Sequence, residues 1–156
     1  MNNKQSLQIR LEVIWWIFTF ILAGGVLFPI LSNIENFPFL LINMVFIIVF
    51  ITFTRYLFLL KYTFLAKKQI LKIAIVVMSI PVIFLLGSHI NGFQTFLDEQ
   101  GAEALVGDLS FQNKESMAKY IRSEILFFGV GSVIVATLLP FRLIISVWRT
   151  RNKGTV

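Results

Sequence analysis

Very few side chains in this sequence are able to do chemistry. It holds one histidine, no cysteine and eight carboxylates in 156 residues. The absence of thiols excludes disulfide frameworks, thiolate zinc sites, iron–sulfur clusters and cysteine nucleophiles. A single histidine excludes bis-histidine haem and histidine-rich metal sites within one chain. No P-loop, dinucleotide fingerprint, HExxH or GxSxG is present. We therefore assign no catalytic, cofactor-binding or metal-ligating residue, and read the chain as not an enzyme.

Four polar positions remain as candidates. His89 follows Gly87 and Ser88 at the end of an apolar run. A histidine there suits a proton-carrying role, but with no partner in view it reads as an interfacial side chain. Asn43 interrupts an otherwise apolar stretch; in lipid an Asn typically bonds another helix, worth about 0.6–2 kcal/mol. Glu124 and Arg142 bracket the last apolar run. Each lies near an end, so Glu124 is expected at one interface and Arg142 to snorkel to the other. Arg55 is expected to snorkel as well.

The acids Asp98, Glu99, Glu103 and Asp108 supply the oxygen type that calcium or magnesium takes. Their spacing matches no calcium loop, and a solvated acidic segment accounts for them.

These positions are carried by an unusually apolar chain. Apolar residues make up 57% and charged ones 14% of the sequence, against roughly a quarter charged in soluble domains; mean hydropathy is +0.83. Four stretches reach the roughly 20 residues that a helix needs to cross a bilayer. They run from about 11 to 31, 37 to 64, 70 to 89 and 124 to 147. The segment from about 91 to 123 is the one large extramembrane connection. Within it, Phe93, Phe96 and Leu97 have helical spacing and Gly101 is placed to end a short helix. Asn113 is placed to cap the start of the fourth helix, ahead of Glu115. The apolar runs do not alternate, and four strands are too few for a lipid-spanning barrel.

The expected fold is all-α: a polytopic, antiparallel bundle of four transmembrane helices with a short helical extracytoplasmic lid, in which consecutive helices are neighbours. Pro81 and Pro140 predict kinks, with Ser79 and Thr137 close enough to satisfy freed backbone groups. Gly129, Gly131, Ser132 and Ala136 give the fourth helix a close-approach face, and Gly24 and Gly25 do the same for the first.

Orientation follows from the charges. Lys4, Arg10, Arg55, Lys61, Lys67, Lys68, Lys72, Arg142, Arg149, Arg151 and Lys153 fall on one side, which is 11 of the 14 basic residues. The positive-inside rule makes that side cytoplasmic, with both termini there. Trp15, Trp16 and Trp148 read as anchors at the same interface. The net charge of +6 is thus a topology signal and not a nucleic-acid footprint. A cleaved signal peptide over residues 1–31 is disfavoured, because the apolar run is too long and no small-x-small site follows it.

The expected location is a bacterial inner (plasma) membrane. The expected role is an accessory or scaffolding subunit that packs against a larger membrane protein or against itself; the alternative is a small homo-oligomeric transporter or channel for an ion or small solute. The lipid bilayer is the one firm partner, and no cofactor is called for.

Overall fold

Long unbroken apolar runs leave the backbone no partner in lipid except itself, so they fold as helices. The computed structural model describes residues 3–107 and 111–152; Asp108 and Lys153 lie outside them. It is all-helical, with α1 at Asn3–Asn33, α2 at Leu40–Leu59, α3 at Gln69–Gln100 and α4 at Phe111–Arg151. Four segments are long and apolar enough to cross a membrane: Ser6–Asn33 in α1, Leu40–Tyr62 over α2 and the turn that follows it, Gln69–Gln100, which is α3, and Asn113–Arg151 in α4. Between 17 and 28% of each apolar window is buried inside the chain, so most of the apolar surface is left for lipid or another protein to cover.

Consecutive helices run antiparallel, so α2 and α4 run the same way, and their order in space is not their order in sequence. α4 packs closely against both α2 and α3, and α1 leans more lightly on α2. The expectation that consecutive helices are neighbours therefore fails for α2 and α3. The fourth helix takes the place between them because its small residues admit it. An added Cβ at Gly129 would lie 3.1 Å from Ile90 of α3 and 3.2 Å from Phe46 of α2, and one at Gly131 would lie 2.8 Å from the Phe50 ring. Ala136 and Ser132 are fully buried on the same helix. The close-approach face of α4 thus serves packing within the chain, whereas nothing lies within 4 Å of a Cβ added at Gly24 or Gly25.

The connections depart from expectation in instructive ways. The second helix does not run on to Phe64. It stops at Leu59, and two 3-10 turns, Leu60–Tyr62 and Phe64–Lys67, lead into α3. No glycine or proline marks this reversal. It is held instead by side chains: the Thr63 hydroxyl donates to the Leu60 carbonyl at 2.8 Å, and the Lys72 ammonium donates to the Ala66 carbonyl at 2.7 Å.

At the other end, α3 continues without a break through His89 and Phe93 to Gln100. Phe93, Phe96 and Leu97 belong to that long helix and not to a separate short one. Gly101 does end it, with φ +78° and its N–H bonded to the Leu97 carbonyl at 3.0 Å. A 3-10 turn, Ala102–Leu105, then folds back over the bundle. Asn113 lies inside α4, which has begun by Phe111, so it does not cap the helix.

Pro81 and Pro140 sit within continuous helices. A proline at position i frees the carbonyl at i−4, here Val77 and Ala136. Ser79 bonds Val76 instead, and Thr137 bonds Val133, so neither hydroxyl serves the freed group.

Two apolar cores result. The larger joins Ile30, Phe46, Ile47, Phe93, Leu105, Ile121 and Ile125, all essentially fully buried. The smaller joins Leu60, Leu65, Leu139 and Leu143. For surface already in lipid, the gain from this packing is van der Waals contact and not release of water.

Candidate functional site

The polar side chains sort into two layers. The first lies toward the end of the bundle where α1 begins and α4 ends, and the second lies buried in the opposite half, near the start of α2.

In the basic layer, Arg55 of α2 meets Glu12 of α1 across the hairpin. The Nη1 group donates to Oε2 at 2.8 Å, with the two side chains 6% and 15% exposed. Arg55 does not snorkel as expected; α1 supplies its counter-charge instead. The other Glu12 oxygen accepts the Phe64 N–H at 3.0 Å, which ties the α2–α3 turn to α1. The guanidinium also lies 5.3 Å from the Trp15 ring centre and 5.9 Å from that of Tyr56, within cation–π range.

Lys72, at the start of α3, is fully buried. Its three N–H donors face the Ala66 carbonyl, the Gln69 side-chain oxygen at 3.4 Å and the Ser146 hydroxyl of α4 at 3.0 Å. Arg142 is half-buried, and its Nε donates to the Leu57 carbonyl at 3.2 Å. That carbonyl is in the last turn of α2, where backbone acceptors lack helical partners and a cation is favoured. Each of these cations fastens a helix end.

The deep layer is one pair. Asn43, three residues into α2, donates from Nδ2 to Oε2 of Glu124 on α4 at 2.6 Å. Asn43 is fully buried and Glu124 is 6% exposed. Asn43 thus bonds another helix, and Glu124 is buried against α2 instead of facing solvent. α4 begins 13 residues earlier, at Phe111, so Glu124 enters the bundle well below the helix start. Along α2, Asn43 is 12 residues (55 − 43) from Arg55, or about 18 Å of helix, against a hydrocarbon layer of about 30 Å.

The pair is sealed on both sides. One turn toward the helix starts lie Phe39 and Ile121, and the Phe39 ring packs edge-to-face on Phe93 and Phe96 at 5.1 and 5.0 Å. One turn the other way lie Phe46, Ile47 and Phe128, and Ile125 adjoins Glu124, all in the core. Within this seal, Asn43 Oδ1 and Glu124 Oε1 have no hydrogen-bond partner.

The remaining sequence candidates stay apart from this pair. His89 is exposed on α3. Ser79 and Thr137 each bond a carbonyl of their own helix. Among the described residues no three metal-ligating side chains gather; Asp98, Glu99 and Glu103 are apart or solvent-facing, and Asp108 is outside the description.

Sequence reasoning missed the Arg55–Glu12 pair, although the signal was present. The two residues lie 23 and 20 positions from Glu35 in the α1–α2 turn (35 − 12 and 55 − 35), so an antiparallel hairpin brings them level. The burial of Lys72 left no such trace. No protein-family model, curated protein or solved structure matches the chain.

Proposed function

We propose that this chain is a non-enzymatic integral membrane protein that acts as an accessory or scaffolding subunit, packing in the membrane against a larger protein or a copy of itself. The observation that carries this reading is how its polar side chains are used. Arg55, Glu12, Lys72 and Arg142 each hold a helix end, while His89, Ser79, Thr137 and Asn43 do not converge on a common path. A solute pathway needs polar groups that face one passage. α1 fits a docking role, because it touches the rest of the chain lightly and leaves Ile14, Ile17, Phe20, Ile21 and Phe28 exposed.

The basic end is cytoplasmic in this reading, by the lysine and arginine count, and the membrane is a bacterial inner membrane. The test is affinity capture from native membranes in mild detergent, followed by mass spectrometry. A stoichiometric larger membrane protein, or a defined self-complex, is the expected recovery. A monomer with no partner would overturn the reading.

A second reading, a small homo-oligomeric transporter or channel, is favoured by one observation: a carboxyl group buried deep between α2 and α4. It predicts solute flux in proteoliposomes that Glu124→Gln abolishes.

A further inference from the structure

We propose that Glu124 holds a proton in the folded bundle, and that the resulting acid and the Asn43 amide form a two-point hydrogen-bonded pair locking α2 to α4. The inference does not depend on the role proposed above.

It rests on counting donors. One hydrogen bond, Nδ2 to Oε2 at 2.6 Å, joins the two side chains. Each side chain keeps one further oxygen, Oδ1 and Oε1, shielded from solvent and without any donor. If the carboxyl is ionised, both of its oxygens are acceptors only, and two buried acceptors, Oε1 and Oδ1, go unmet, which folded proteins avoid. A carboxylic acid and a primary amide are complementary: N–H bonds one acid oxygen while the acid O–H bonds the amide oxygen. In the proposed pair, one hydrogen on Oε1 directed at Oδ1 meets the need of both atoms. If the amide were turned over, two oxygens would stand 2.6 Å apart, a distance suited to O–H···O, and a proton would be required between them.

No neighbouring charge offers another solution. α2 carries no ionisable group between Leu40 and Thr54, and α1 carries none between Ala23 and Ile30. On α3 the one titratable side chain near this level is His89, which is exposed, and Glu103 of the 3-10 turn is exposed too. On α4, Arg122 is exposed, and Tyr120, one turn from Glu124, gives its hydroxyl hydrogen to the Val26 carbonyl at 2.7 Å. A lone carboxylate in an apolar interior with no cation is among the costliest arrangements available. A proton is also the one ligand that needs no space, which suits a pair sealed by Phe39, Phe46, Ile121 and Ile125.

The experiment is infrared spectroscopy of the purified protein in lipid nanodiscs at neutral pH. The expected result is a carbonyl band of a protonated carboxylic acid that shifts in heavy water, is lost in Glu124→Gln, and moves without vanishing in Asn43→Leu. Absence of such a band from the wild-type protein would overturn the proposal, whatever the variants do. Thermal unfolding in sodium and potassium buffers supplies the second measurement. Equal midpoints are expected; a sodium-specific stabilisation lost in Glu124→Gln would assign the two oxygens to a metal ion and refute the proton.

Discussion

Replacing Gly131 with alanine should destabilise the protein, whereas the same change at Gly24 should stabilise it. A Cβ at Gly131 would stand 2.8 Å from two carbons of the Phe50 ring, where carbon–carbon contacts are comfortable at about 3.5–4.0 Å. The ring would have to retreat by about 0.7 Å or more. Phe128 packs edge-on against it at 5.6 Å and resists that retreat. Overpacking of this kind costs about 1–3 kcal/mol. Removing a helical glycine returns about 0.5–1 kcal/mol, leaving a net loss of up to about 2.5 kcal/mol. For a chain of this length that lowers the unfolding midpoint by up to about 10 °C. At Gly24 no atom lies within 4 Å of the new Cβ, so only the helix gain remains and the midpoint should rise by about 1–4 °C. Differential scanning fluorimetry in one mild detergent compares the two directly. Phe50→Leu should rescue Gly131→Ala, since it removes the ring that is struck. If both glycine variants shift the midpoint in the same direction, α4 does not pack against α2 through Gly131 and the helix order described above is wrong.

Three further perturbations test the polar layers. Glu12→Gln or Arg55→Leu alone should destabilise by about 3 kcal/mol, because a partner is left charged and buried; the double variant should recover much of that loss in a thermal-unfolding cycle. Lys72→Met should cost about 1–3 kcal/mol by stranding the Ala66 carbonyl and the Ser146 hydroxyl, and limited proteolysis at the α2–α3 turn should accelerate. Asn43→Leu and Glu124→Leu should be non-additive, the double variant being more stable than the sum of the singles predicts.

What the sequence reveals here depends on how local each determinant is. The four spans were legible because bilayer thickness sets a length that a run of Ile, Leu, Val and Phe either meets or does not. Gly101 as the end of a helix was legible because a positive φ favours glycine. The stop of α2 at Leu59 was not, since the turn after it is held by Thr63, by Lys72 and by Glu12, the last 52 residues from its partner Phe64. The reach of α3 to Gln100 was missed because Ser88, His89, Asn91 and Gly92 look like a surface segment, yet they continue the helix. The Asn43–Glu124 pair was the hardest to see. The residues are 81 positions apart. Counted from the helix starts, Asn43 is three residues into α2 (43 − 40) and Glu124 is 13 into α4 (124 − 111), positions that do not match. Only the packing of α4 between α2 and α3 brings them level.

All of this rests on hydrocarbon surrounding the four helices, with the basic end facing the cytosol. The chain contains no cysteine, so single cysteines placed at Lys67 in the α2–α3 turn and at Glu99 near the end of α3 can be read without background. A membrane-impermeant maleimide applied to intact cells should label Glu99→Cys and spare Lys67→Cys until the membrane is opened. Labelling of Lys67→Cys in intact cells, or recovery of the chain in the soluble fraction without detergent, would contradict the account.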